Sequence, residues 1–279
     1  EAAIFQARFA SDTGDYPNAI LNAQRAIALT RQTASGAQQA KAFLIWGETL
    51  TRQGDYANAH LQLQQALRLS RYHNLQRVEA ATLRILGNVL LDQGLYDEAI
   101  LAYQRSRSVS QQLGDRWSEC WVLNDIGLAY YYQGELSQAQ TLLQQAIQDS
   151  NAIGHRQCEA YALGNLGEIS SRQGEYTLGR GLYQRSLLLC QATGDRLGEA
   201  MSLCNLGMLY DHYGASDEAL NYLQRAHSLH AQIGNRSGEA EALAALGLWA
   251  YRRNDLSAAL DFNQRSEEHT SELQSRQVI

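Results

Sequence analysis

Residues 194–234 read GDRLGEAMSLCNLGMLYDHYGASDEALNYLQRAHSLHAQIG, and their spacing decides the fold. Gly194 and Asp195 punctuate the chain, and Asp195 is placed to cap the helix that follows. Glu199 falls in the first turn, where a negative charge suits the helix dipole. Leu203, Leu206, Gly207 and Tyr210 then stand at offsets 0, 3, 4 and 7, the apolar stripe of a helix. Gly214 suits a left-handed cap that ends it. A second stripe follows in Ala219, Leu220, Leu223, Ala226 and Leu229, before Gly234 and Asn235 open the next unit. Gly207 has no side chain, so the second helix is predicted to approach closely there, with Ala219 and Ala226 keeping it thin. Each unit is then two antiparallel helices of about 17 residues, roughly 26 Å long at 1.5 Å per residue.

The unit recurs every 40 residues without insertion or deletion. Gly14, Gly54, Gly94, Gly134, Gly174 and Gly214 form one series; Gly47, Gly87, Gly127, Gly167, Gly207 and Gly247 form another; Gln24 to Gln264 keep the same beat. One helix pair cannot cover its own apolar face, so neighbours stack into a solenoid. The expected fold is all-α, an array of antiparallel helix pairs. Such arrays offer surfaces that hold other molecules. Pro17 falls at the start of a second helix, where its missing N–H costs little. Gly179 replaces a recurrent alanine and weakens its helix by up to about 1 kcal/mol, and Asn254 stands in for a turn glycine. The glutamine column falls on the second helices, implying a solvated face or hydrogen bonds between repeats.

The repeat covers 1–265 as a single array of about six and a half helix pairs. From Arg265 to Ser275 the chain reads RSEEHTSELQS, similar to the in-frame translation of a sequencing-library adapter. Residues 266–279 are expected to be irregular and to add nothing to the fold. Glu1 already lies inside a repeat, so the expectation is a fragment cut at both ends.

A hydrophobic share of 45% supplies a core, and the net charge is −6. A mildly acidic, mixed surface argues against nucleic acid, which needs a basic stripe. No apolar run is long enough for a membrane span. Cys120, Cys158, Cys190 and Cys204 have no CxxC spacing and read as reduced core residues, in keeping with a cytoplasmic protein. Phosphate-loop, dinucleotide, zinc-protease and nucleophile-elbow motifs are all lacking. His227 and His230 share a helix at i, i+3 and read as a solvated or stacked pair rather than metal ligands. Asp211 and His212 read as groove lining or surface. No enzyme, cofactor or metal is expected.

Leu83, Leu86, Gly87, Leu90, Gly94, Tyr96, Ala99, Tyr103 and Ser106 follow an order that resembles the tetratricopeptide repeat. The usual unit of that family has 34 residues, so this one is a longer variant. Gly114-Asp115-Arg116 and Gly194-Asp195-Arg196, with Asn165-Leu166-Gly167 and Asn205-Leu206-Gly207, are similar to a long-repeat branch. That branch holds the Leu-Gly-Asn spindle-orientation adaptors, the sensor arms of maltose-activator-type regulators, and arrays fused to caspase-like domains. The resemblance implies a right-handed superhelix whose first helices line a concave groove. Carried onto this chain, the groove columns gather Trp121, Asn124, Asp125, Tyr131, Tyr132, Tyr161, Asn165, Arg172 and Asn205 at their middle. Aromatic rings supply contact area, and Asn amides pair with the backbone of an extended peptide. In the adaptor branch the Asn of the Asn-Leu-Gly motif is expected to play that part; it carries over to Asn165 and Asn205, and to Asp125 by chemical analogy. The opposing reading is that these rings only fill space between helices. A carboxylate clamp finds only Lys41 and Arg84 near the required places, and Lys41 is the sole lysine.

The resulting expectation is an interaction scaffold that binds a peptide or helix of a partner protein on its concave face, within a larger signalling or regulatory protein. Two alternatives stand beside it: the effector-sensing arm of an ATP-driven transcription activator, and the regulatory array of a caspase-like peptidase.

Overall fold

The computed structural model describes residues 1–32, 35–214 and 216–275, and among them the chain forms fourteen α-helices and no strand. In chain order these are α1 (Ala2–Asp12), α2 (Tyr16–Gln32), α3 (Gly36–Arg52), α4 (Tyr56–Tyr72), α5 (Gln76–Asp92), α6 (Tyr96–Gln112) and α7 (Arg116–Gln133). Then follow α8 (Leu136–Ile153), α9 (Arg156–Arg172), α10 (Tyr176–Thr193), α11 (Arg196–His212), α12 (Ser216–Gln232), α13 (Arg236–Arg252) and α14 (Leu256–Ser275). Two compact units result, Glu1–Leu142 and Leu143–Ile279.

The ends of the helices follow from the residues placed there. The Asp195 carboxylate accepts a hydrogen bond from the Gly198 amide at 3.0 Å, and Asp115 does the same for Ser118 at 3.2 Å. These caps satisfy N–H groups that the helix itself leaves unpaired. The turn glycines adopt φ near +80°, and Asn254 takes φ +62° in their place. Asparagine is the side chain that best tolerates this left-handed conformation.

Within each pair the helices meet at the second glycine series. A Cβ on Gly207 would sit 2.6 Å from Leu223 Cγ, and one on Gly87 would sit 2.3 Å from Tyr103 Cε1. The space is therefore filled by Leu223 itself, rather than left thin by Ala219 and Ala226. Corresponding positions alternate: Leu63, Tyr103, Leu143, Tyr183 and Leu223 are all buried. The tyrosines bring a hydroxyl inside, and each donates it, Tyr103 to Asn88 Oδ1 at 2.8 Å and Tyr183 to Glu168 Oε2 at 3.0 Å. Three residues on, Ser106 and Ser186 donate to the carbonyls of Ala80 and Ala160 at 2.8 Å, where the leucine repeats have Ala66, Ala146 and Ala226. Buried polar groups must be paired, so a Tyr/Ser repeat and a Leu/Ala repeat are two self-consistent solutions. Gly179 has a similar origin. A Cβ there would lie 2.5 Å from Ser171 Oγ, which donates to the Gly167 carbonyl at 2.8 Å. The hydroxyl occupies the volume an alanine would need.

In unit 1, α1 touches α3, α3 touches α5 and α5 touches α7; in unit 2, α9 touches α11 and α11 touches α13. Among the described residues no second helix of a pair touches the second helix of the next pair in the same unit. First helices crowd while second helices splay, so each stack bends with its first helices inside. The glutamine column, from Gln24 to Gln264, is exposed throughout, the solvated option of the two expected. Helix α14 runs on through Ser275, so the backbone of 266–275 is helical where irregular chain was expected. Ser266 even continues the serine column, donating to the Ala240 carbonyl at 2.9 Å. Residues 276–279, also expected to be irregular, lie outside the described residues.

Candidate functional site

The inner face of unit 2 is built from stripes that a helical repeat dictates. On α9, Tyr161, Asn165, Glu168 and Arg172 are spaced 4, 3 and 4 residues apart; on α11 so are Met201, Asn205, Met208 and His212. Residues at this spacing share one face. The opposite faces carry Gly167 and Gly207, which press on Tyr183 and Leu223. Burial there fixes each helix's rotation and leaves the stripes open. Tyr161, Asn165 and Asn205 are half-buried, Arg172 is exposed, and Met201 and Met208 are about 42% and 37% exposed.

Three of the residues singled out in the sequence come together here. Tyr161, Asn165 and Asn205 line one cavity of about 30 Å³ with Met201, and Ser186, Ser202 and Cys190 lie deeper. Asn165 and Asn205 present amides that both donate and accept. Arg172 stands at the end of the α9 stripe and pairs with Glu168, Nε to Oε1 at 3.2 Å. Across the same face, Glu241 is exposed on α13, yet its carboxyl pKa is raised, first by the protein crowding round it and then by the negative charge of Glu168. Asp211 is a buried hub rather than free lining: Arg252 reaches it at 2.5 Å and Arg253 at 2.7 Å. His230 is buried and hydrogen-bonded to Asn235 at 3.1 Å, so of the two options for the i, i+3 pair, solvated or stacked, the solvated one does not hold for it.

Unit 1 treats its members differently. Asn124, Asp125 and Tyr131 are buried, Trp121 is half-buried and Tyr132 is about 52% exposed. Asp125 accepts from Arg84 Nε at 2.6 Å and from Asn124 Nδ2 at 3.2 Å. Its carboxylate is engaged within the stack. The Arg84 guanidinium lies 5.1 Å over the Trp121 ring, a cation–π contact. Tyr132 stacks on Tyr96 with centroids 6.0 Å apart and tilts against Tyr131 at 5.3 Å. Further along, Glu48 joins α1 to α3 through Arg8 at 2.5 Å and also holds Arg52 at 2.9 Å. Burial alone would raise its carboxyl pKa; the two guanidiniums reverse that and hold it low. The same inner columns of α1 and α3 frame an opening of about 400 Å³ lined by Ile4, Phe5, Arg8, Lys41, Leu44 and Ile45.

The ion pairs that tie first helix to first helix were not foreseen. Their sequence signal is a charge facing its opposite 40 or 41 residues away, as in Arg8 and Glu48 or Arg84 and Asp125. Among the described residues no helix is long and apolar enough to cross a membrane.

A model of the tetratricopeptide repeat family matches residues 78–151 and 158–232. No curated protein sequence matches the chain. Solved structures do. A Rap protein complexed with Competence and Sporulation Factor superposes with a TM-score of 0.82 at 15% identity, over 98% of this chain and 75% of that one. The Rap conjugation gene regulator of the plasmid pLS20, in complex with a Phr peptide, gives 0.78 at 13% identity, over 98% and 74%. A Signal Transduction ATPase with Numerous Domains from Pyrococcus horikoshii, which has a tetratricopeptide repeat sensor, gives 0.63 at 14% identity, over 94% and 44%. At these identities the likeness is one of fold.

Proposed function

The chain belongs to the tetratricopeptide repeat family, and we propose that it is a non-catalytic binding module that holds an extended peptide segment of a partner on its inner, concave face. The carrying observation is the pair Asn165 and Asn205, one repeat apart, half-open and lining a single cavity beside Tyr161. An extended peptide has a donor and an acceptor at every residue, and side-chain amides answer both. Tyr161 and the two methionines supply adaptable apolar area around them. In unit 1, Trp121 and Tyr132 offer ring surface of their own. A protein of the same fold solved with a Phr peptide supports the same use.

The role fits a regulatory protein in which the array reports on a bound segment. A sensing arm attached to an ATPase is the second reading. It is favoured by the likeness to the Pyrococcus horikoshii ATPase, of whose length this chain spans 44%.

The test is selection from a randomised heptapeptide display library. Enriched peptides should bind the wild-type chain and lose about 2 kcal/mol or more when Asn165 and Asn205 are both replaced by alanine. Enriched peptides whose affinity ignores both substitutions, or a library that yields none, would overturn the reading.

A further inference from the structure

The inner face of unit 2 has a hole in it. Gly164 occupies the column that the other first helices fill with Ile4, Leu44, Arg84, Asn124, Cys204 and Ala244. A Cβ there would meet nothing closer than Ser186 Oγ at 3.7 Å. A glycine in a helix interior is unfavourable by itself, and no neighbour presses on Gly164 as Tyr183 presses on Gly167. What its bareness does is open the cavity between α9 and α11 down to Ser186 and Ser202.

The floor of that cavity has a defined polarity. Ser186 gives its one proton to the Ala160 carbonyl at 2.8 Å. In its 3.0 Å contact with Ser202 it therefore accepts, and Ser202 donates. Ser202 lines the cavity and keeps acceptor capacity. Cys190, also on the floor, has its thiol pKa pushed up to about 11, chiefly by burial, and stays protonated. The floor is thus uncharged and wants a neutral hydrogen-bond donor. A volume of about 30 Å³ is room for about two water molecules, which a hydroxymethyl group can replace and a branched aliphatic side chain overfills.

We infer that the Gly164 cavity is a specificity subsite that admits the side chain of a serine in the bound peptide, between the backbone contacts of Asn165 and Asn205. The inference rests on the peptide-binding reading above and adds the residue class that reading lacks.

The wild-type chain, Gly164→Ala and Gly164→Leu each select from one randomised heptapeptide display library, and the enriched peptides are resynthesised with leucine at the key position. The expected result is serine enriched at one fixed position for the wild type. Leucine there should weaken binding about tenfold or more. Gly164→Leu should keep the rest of the consensus and lose the serine. Gly164→Ala, whose added methyl makes only ordinary contacts, guards against misfolding and should blunt the preference while melting no lower than wild type. If a consensus sensitive to Asn165 and Asn205 appears without serine, or serine persists in Gly164→Leu, the subsite falls and the peptide reading stands. If no consensus depends on Asn165 and Asn205, both fall.

Discussion

Arg84 Nε lies 2.6 Å from Asp125 Oδ2, so a single ion pair bridges α5 and α7 across 41 residues of sequence. Burial works against the Arg84 charge, but the Asp125 carboxylate outweighs it and raises the guanidinium pKa. Removing one partner of such a pair strands the other. Asp125→Ala should cost about 2 kcal/mol, below the full penalty for a dry pair because Arg84 keeps 29% of its side chain in solvent. Urea unfolding reads this as a lower midpoint; a loss under about 0.5 kcal/mol would mean the pair is ornamental.

Glycines of one helix layer should respond to alanine with opposite signs. Gly87→Ala drives a methyl to within 2.3 Å of the Tyr103 ring and should destabilise by about 1–3 kcal/mol. Gly164→Ala makes only an ordinary contact, 3.7 Å from Ser186 Oγ, and should gain up to about 1 kcal/mol from helix propensity. Thermal melts of the two variants side by side settle the comparison.

Tyr131 and Asn165 were grouped together as groove residues, and they should separate by experiment. Tyr131 is about 6% exposed, so Tyr131→Ala should cost about 3 kcal/mol or more of stability. Asn165→Ala should stay within about 1 kcal/mol and act on peptide affinity instead. Equal melting temperatures for the two variants would refute the assignment.

Acid should weaken the fold through His230. Burial, ahead of other causes, lowers its pKa from 6.5 to about 4. Between those values the unfolded chain binds the proton and the folded chain does not. Stability is therefore whole above pH 6.5 and falls as pH drops towards 4, by on the order of 2–3 kcal/mol at about 1.4 kcal/mol per pH unit. His230→Ser, which restores the residue of Ser70, Ser110 and Ser150, should flatten the melting temperature between pH 7 and 4.5. An unchanged slope would assign the acid sensitivity elsewhere.

The period, the helix lengths and the caps were legible because each is local. Asp195 needs only Gly198, three residues on, and a turn glycine needs only its own φ. What contacts Gly207 was misread, since leucine or alanine could both close on a bare helix and only packing chooses Leu223. The inner face was half legible. Column position puts Asn165 and Asn205 on the inner face, where both are half-buried, yet the same column buries Asp125, because an arginine 41 residues earlier claims it. Gly164 carries no such signal, since a missing side chain announces nothing until the walls around it are placed.

The hydroxyls of Tyr103 and Ser106 find their acceptors, Asn88 and the Ala80 carbonyl, inside their own helix pair, and those of Tyr183 and Ser186 do the same with Glu168 and Ala160. A gene for such a chain can therefore gain or lose forty codons, one whole pair, and leave these hydroxyls with the groups they were fitted to. The interior chemistry of a pair travels with it, so a Tyr/Ser pair and a Leu/Ala pair are interchangeable cassettes.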